Sequence, residues 1–195
     1  MQSMTVETYK YDELSEEAKE KALETMQDIN TDYEWWDSAI EDAKEIGRIM
    51  GIEISNIYFS GFSSQGDGAF FKGEYAYRKN SVKELIEYAP ADEELHRIVK
   101  ELRIVQGRDF YQLSANAKQT GYYYDAEIAV SREDYKEMSK NAEESLKELL
   151  TDFMHWIYRT LEKEYEYLTS KEAIEETIRA NEYKFTEDGS RNIYL

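Results

Sequence analysis

A polar segment at residues 60–68 carries the groups best suited to bind or transform a ligand. Hydroxyl, amide and carboxylate side chains follow one another here, so several hydrogen bonds could hold one polar ligand. Glycines in the same segment permit close approach of the backbone to such a ligand. The candidate binding residues are Phe62, Ser63, Ser64, Gln65 and Asp67, and the glycines are Gly61, Gly66 and Gly68.

Two interpretations of this segment stay open. A hairpin needs only about two to five connecting residues, so the additional length favours a recognition loop. Alternatively, the polar side chains of a long hairpin satisfy their own backbone. A phosphate-binding loop is excluded, because the segment lacks both the Lys-Ser/Thr ending of a P-loop and the glycine spacing of a dinucleotide fold.

Catalytic groups are scarce in the rest of the chain. There is no cysteine, which excludes disulfides, thiolate metal sites and cysteine nucleophiles. His96 and His155 lie in predicted helices without a second ligand at metal spacing, and no serine-nucleophile motif occurs. A carboxylate-only metal site at Asp67, Asp125 and Glu127 is the one alternative. The sequence therefore predicts a protein that is not an enzyme and has no cofactor and no bound metal.

The chain is strongly acidic, with a formal net charge of −18 at pH 7. This charge argues against direct binding to nucleic-acid phosphates, which requires basic patches. The acidic residues concentrate near the N-terminus: residues 1–60 hold 15 acidic and 5 basic side chains, whereas residues 61–130 hold 11 and 9. Such a surface either keeps the protein in solution or imitates a phosphate backbone and occupies a basic groove built for DNA or RNA.

A predicted helix ending near Met50 carries the best candidate for an acidic binding surface. Its apolar residues recur at helical spacing and share one face. The carboxylates of this region lie off that face and are expected in solvent; they are Glu34, Asp37, Glu41, Asp42 and Glu45.

Strands and helices come in blocks, which predicts an α+β fold. We expect a mainly antiparallel sheet of about four to six strands packed against several amphipathic helices. The predicted strands are 52–60, 69–77, 109–117 and 122–130, with 5–10 as a further candidate.

Capping motifs of the form Ser/Thr-x-x-Asp/Glu mark four helix starts, at Thr31, Ser81, Ser131 and Thr169. An earlier helix is expected after Asp12 or Ser15. Further helices are predicted at 81–89 and 92–106, a mostly helical region at 131–182, and a hairpin or tail at 183–195. No linker or repeat interrupts the chain, so residues 1–195 are expected to form one domain.

Tyrosine is unusually frequent, with 17 residues. Tyrosine combines a large contact area with a polar tip and is favoured at interfaces. If Tyr123 or Tyr77 flanks the 60–68 segment, the two together would form a pocket suited to a nucleobase or a peptide.

No apolar run approaches the length of a membrane span, and the N-terminus has no signal-peptide pattern. We therefore expect a cytosolic protein with no membrane partner.

Several segments resemble a family of small bacteriophage and prophage proteins, some of which are labelled antitoxin-like. The most specific is Tyr58-Phe-Ser-Gly-Phe-Ser-Ser-Gln-Gly-Asp-Gly-Ala69. The others are residues 9–22, 121–125, 161–168 and 185–189, so the resemblance spans most of the chain.

This resemblance implies an accessory factor that acts on the bacterial host, and inhibition of a defence system is the expected task. The acidic surface would then occupy the basic channel of a CRISPR effector or a restriction nuclease. As an alternative, the 60–68 segment and nearby tyrosines would sequester a nucleotide immune signal. A third expectation is an antitoxin-like protein that binds a basic toxin.

Overall fold

The structure is a computed structural model that describes residues 7–119 and 126–191. Its elements in chain order are β1 (Tyr9–Lys10), α1 (Glu16–Thr25), α2 (Asp37–Met50), β2 (Ile52–Phe59), β3 (Ala69–Ala76), α3 (Ser81–Tyr88), α4 (Glu93–Arg108), β4 (Leu113–Gln119), β5 (Ala126–Arg132), α5 (Ala142–Leu168), α6 (Lys171–Ala180) and β6 (Lys184–Phe185). The predicted α+β fold, with an antiparallel sheet packed against helices, is confirmed.

The chain divides into two compact units. The larger comprises residues 37–162, and the smaller combines residues 1–36 with 163–195. Long helix α5 contributes residues to both units. The single domain expected from the sequence stays a prediction.

The larger unit is built on a four-stranded antiparallel sheet with the order β2-β3-β4-β5. Residues alternate along β3, so that Phe71, Gly73 and Tyr75 are buried while Lys72 and Glu74 are exposed. Helices cover the buried face, where the ring of Phe71 lies 5.9 Å from that of Phe153 in α5.

A buried amide joins α4 to the start of β4. Gln106 donates to the carbonyl of Leu113 at 2.7 Å and accepts from the Leu113 N–H at 3.2 Å. Its Nε2 also lies 3.3 Å from the hydroxyl of Tyr75, whose pKa burial raises to about 12. These bonds satisfy backbone groups that would otherwise be unpaired inside the protein.

The smaller unit packs α1 and α6 beside the two-stranded pair of β1 and β6. Ser15 caps α1 by accepting a hydrogen bond from the Ala18 N–H at 3.2 Å. Gly189 has a φ of +81°, and a Cβ there would overlap the backbone of Ala18, so only glycine fits. The core residues are Tyr11, Leu14, Ala18, Ala22, Met26, Ile174, Ile178 and Phe185.

Two predicted helix starts are wrong. The motif at Thr31 precedes a turn, and α2 begins only at Asp37. Ser131 lies in β5, where its hydroxyl is 3.0 Å from that of Ser114 on β4, so cross-strand pairing prevails over the local capping motif. Consequently the predicted helical region at 131–182 starts late, because α5 begins at Ala142.

The third predicted strand also starts too early. Asp109 ends α4, and the next two residues adopt left-handed conformations, with φ values of 55° at Phe110 and 62° at Tyr111. A strand cannot include such residues, so β4 begins at Leu113. The fourth predicted strand, 122–130, is observed from Ala126 to Arg132, and its first residues lie outside the described residues.

Candidate binding surfaces

The β2–β3 loop at residues 60–68 is closed by its own hydrogen bonds. Oδ2 of Asp67 accepts from the backbone N–H groups of Ser63 and Ser64, at 3.0 and 2.6 Å. The hydroxyl of Ser60 accepts from the Gly68 N–H at 2.9 Å. The Ser64 N–H bond is the main cause that holds the pKa of Asp67 below its usual range. Asp67 therefore braces the loop.

The aromatic residue of the loop is an anchor. The ring of Phe62 stacks on that of Phe59, with 6.0 Å between the ring centroids. It also packs against the ring of Tyr158 in α5, with 5.5 Å between the centroids. The hydroxyl of Tyr158 donates to the carbonyl of Gly61 at 3.3 Å. Phe62 therefore attaches the loop to α5 within the larger unit.

The remaining polar candidates of the loop lie at its surface. Ser63, Ser64 and Gln65 are exposed at the loop tip. Tyr77 follows β3 at the end opposite the loop, so it does not flank these residues; Tyr123 lies outside the described residues. The geometry favours the hairpin interpretation, in which polar side chains satisfy their own backbone.

Of the carboxylates predicted on α2, Glu45 is half-buried and the others are exposed, and most have partners. Glu41 pairs with Lys44 at 2.7 Å, and Glu45 forms a two-point contact with Arg48. Asp42 accepts from the hydroxyl of Tyr88 at 2.6 Å.

Two of the predicted carboxylates differ from this group. Asp37 is exposed at the start of α2, whereas Glu34 is exposed in the smaller unit. The α2 face is therefore a largely paired surface, and within the described chain only its first carboxylate lacks an ion-pair or hydrogen-bond partner.

A more strongly acidic surface lies on α1, where the sequence alone indicated no binding residue. Glu17, Glu20 and Glu24 are exposed and recur at helical spacing, on the side opposite buried Ala18 and Ala22. We call these three residues the α1 acidic stripe. None of the three has an ion-pair partner within the described parts of the chain.

The nearby lysines form ion pairs with other carboxylates and not with the residues of the α1 acidic stripe. Lys19 binds Glu16 at 2.9 Å, and Lys21 binds Asp188. The smaller unit as a whole, residues 1–36 with 163–195, holds 18 acidic and 8 basic side chains. The pattern i, i+3, i+7 of glutamates was visible in the sequence, but pairing can be judged only from the fold.

Asp109 and Arg132 form a buried network in the larger unit. Asp109 is fully buried and accepts from Arg132 at 3.1 Å and from the Ser139 N–H at 2.8 Å. Arg132 also donates to the Glu137 carbonyl at 2.9 Å and pairs with Asp134. This network ties the end of α4 to the segment after β5, which is a structural role.

The described residues contain no group of three or more side chains arranged to hold a metal ion. Of the three carboxylates predicted as a metal site, Asp67 is engaged with backbone amides and Asp125 lies outside the described residues. Among the helices of residues 7–119 and 126–191, none is long and apolar enough to cross a bilayer.

Residues 35–171 match the profile of a domain of unknown function (DUF8835). The chain belongs to this family. The matched DUF8835 segment includes the β2–β3 loop, α2 and the Asp109–Arg132 network, whereas the α1 acidic stripe lies outside it. Neither the curated proteins nor the solved structures include a match to the chain.

Proposed function

We propose that the protein is a non-enzymatic inhibitor that binds a basic, nucleic-acid-binding groove through its α1 acidic stripe. The target class is a nucleic-acid-targeting defence protein of a bacterial host, such as a CRISPR effector or a restriction nuclease. One observation carries this proposal: Glu17, Glu20 and Glu24 are exposed on one helix face and have no ion-pair partners in the described chain.

The spacing of the stripe suits a row of positive charges. Residues three and four apart on a helix are neighbours, and Glu17 and Glu24 are separated by about 10 Å along the helix axis. Lysine and arginine side chains that normally bind phosphates would meet carboxylates at similar intervals. Because the like charges repel one another, a basic partner that neutralises them gains binding energy.

The stripe is also held in place before any partner binds. Ser15 caps the helix, and Ala18 and Ala22 are buried in the core of the smaller unit. The backbone that carries these charges needs no ordering on binding, which favours fast, electrostatically steered association. An antitoxin that binds a basic toxin would use the same surface, and the identity of the captured protein distinguishes the two roles.

The proposal is tested by affinity capture from bacterial lysate with the tagged full chain. At about 100 mM salt, where exposed charges still interact over about 10 Å, we expect capture of a nuclease that excess duplex DNA releases. The triple variant Glu17→Lys, Glu20→Lys, Glu24→Lys should lose this protein.

A matched variant carries the same change in charge on α2, at Asp37, Glu41 and Glu45, and should retain the nuclease. Equal capture by the wild type and the α1 variant would contradict the proposal. Capture of a basic toxin without nucleic-acid-binding activity would favour the antitoxin role.

A further inference from the structure

A cavity of about 520 Å³ lies beside the first turn of α3 in the larger unit. This volume falls in the range of about 300–1,000 Å³ that is typical of small-molecule sites. Residues from the end of β3, from α3 and from α4 line it. They include Tyr77, Lys79, Ser81, Lys83, Glu87 and Arg103.

The lining is basic, in contrast to the acidic character of the whole protein. It has three cationic side chains and one carboxylate, Glu87, which lies 3.7 Å from Lys83. Lys79 and Arg103 have no ion-pair partner in residues 7–119 and 126–191, whereas Arg97 of the same helix α4 pairs with Asp152 at 2.7 Å. Unpaired cations around a cavity favour an anionic ligand.

Ser81 supplies an independent indication of a ligand. Its side chain lines the cavity and is only 6% exposed, and its hydroxyl has no hydrogen-bond partner among the described residues. This hydroxyl is open to the cavity, where an oxygen of a ligand can replace solvent as its hydrogen-bond partner.

The backbone at the same place also lacks an acceptor. Asn80 precedes α3 with a φ of 67°, and its side chain makes no capping hydrogen bond. The first N–H groups of a helix have no intrahelical partner, and the N-terminus is the positive end of the helix dipole. The Lys83 N–H bonds the Asn80 carbonyl at 3.0 Å, so the Ser81 hydroxyl and the N–H groups of Ser81 and Val82 are the groups left to bind phosphate oxygens.

An aromatic wall completes the cavity. The ring of Tyr77 lines it and lies 4.3 Å from the ring of Tyr111, measured between centroids. Tyr111 thus packs beside Tyr77, and the Tyr77 ring offers the cavity an aromatic surface for a planar group.

We propose that this cavity binds a nucleotide, with its phosphate at the start of α3 and its base against Tyr77. The cations outnumber the carboxylate by two, which matches a phosphate monoester of about −1.5 to −2 charge at pH 7. All of the residues involved belong to the DUF8835 segment and none belongs to the α1 acidic stripe. The nucleotide site therefore shares no residue with the α1 acidic stripe.

The test is calorimetric titration of the full chain with the four common ribonucleoside monophosphates, with inorganic phosphate and with adenosine. At least one monophosphate should bind with a 1:1 stoichiometry and more tightly than phosphate or adenosine alone. Arg103→Gln should weaken binding about tenfold or more, because a charged hydrogen bond is lost. Lys118→Gln removes an exposed cation away from the cavity and should change the affinity less than about twofold.

Ser81→Ala separates a binding role from a structural role. It should weaken nucleotide binding without lowering the melting temperature, because the hydroxyl has no partner among the described residues to lose. The proposal is overturned if none of the four monophosphates binds saturably at about 5 mM, a concentration that would detect even millimolar affinity. Equal affinity for phosphate and the best monophosphate would overturn the role of Tyr77.

Discussion

In the β2–β3 loop, Oδ2 of Asp67 lies 2.6 Å from the backbone nitrogen of Ser64 and accepts its hydrogen. In the sequence, Asp67 looks most like a catalytic or ligand-binding carboxylate. In the structure, its side chain instead stabilises the conformation of its own loop. The acidic stripe on α1 and the basic cavity beside α3 are therefore better candidates for function than this loop.

The first prediction concerns how the stabilisation of the loop by Asp67 depends on pH. Because the folded-state pKa of Asp67 is lowered, its contribution to stability is fully present above the unfolded pKa and is lost as pH falls through the folded pKa. Asp67→Ala should therefore lower the melting temperature at pH 7, and the difference from wild type should shrink below about pH 4. Thermal melts of both proteins from pH 7 to pH 2 measure it, and a constant difference would refute the electrostatic account.

The second prediction compares two glycines of the loop. Gly66 has a φ of +97°, whereas the φ of Gly68 lies outside the positive range, and a Cβ added to either residue would have no atom within 4 Å. Gly66→Ala should cost on the order of 1 kcal/mol through backbone strain alone, and Gly68→Ala should be neutral or slightly stabilising. Chemical denaturation of the two variants checks this, and equal effects would contradict the assigned conformation.

The third prediction concerns the buried pair of Asp109 and Arg132. Asp109→Ala leaves the guanidinium of Arg132 buried without this partner and should destabilise the protein by about 3–5 kcal/mol. Glu133→Ala, at a neighbouring position, should change the free energy of unfolding by no more than about 0.5 kcal/mol. Urea denaturation measures both, and a small effect of Asp109→Ala would show that the network contributes little.

The fourth prediction concerns repulsion within the α1 acidic stripe. Glu20→Gln removes an unpaired charge between two like charges, so it should stabilise the protein by a few tenths of a kcal/mol at low salt. Glu16→Gln is the control, because it removes the partner of Lys19 and should not stabilise. Both differences should fade at about 1 M salt, where charges are screened beyond about 3 Å. A stabilisation that persists at high salt would have another cause.

Periodicity alone was sufficient for most of the fold. Leu14, Ala18, Ala22 and Met26 recur at helical spacing and are buried, and so are the apolar residues at helical spacing from Leu146 to Leu161 in α5. Both are long patterns with a single helical period, and such patterns predict the buried face of a helix reliably. Strands β2 and β3 also lie within one residue of their predicted ends.

Local motifs were less informative because tertiary contacts override them. Two consecutive left-handed aromatic residues, Phe110 and Tyr111, have no sequence signature, since glycine or asparagine is usual at such φ values. The candidate binding surfaces were even harder to predict from the sequence, because they depend on which charged side chains form ion pairs. Glu41 and Glu45 have cationic partners, whereas Glu20 and Arg103 have none among the described residues, and only the fold brings such side chains together or keeps them apart.

The most direct test of the central claim is titration of the captured nuclease with the purified protein. We predict that inhibition reaches an endpoint at a fixed molar ratio, independent of preincubation time and of chelator. The α1 variant with Glu17, Glu20 and Glu24 changed to lysine should not inhibit, and the matched α2 variant should inhibit like the wild type. Undiminished inhibition by the α1 variant, or complete and time-dependent inhibition at sub-stoichiometric protein, would contradict the account.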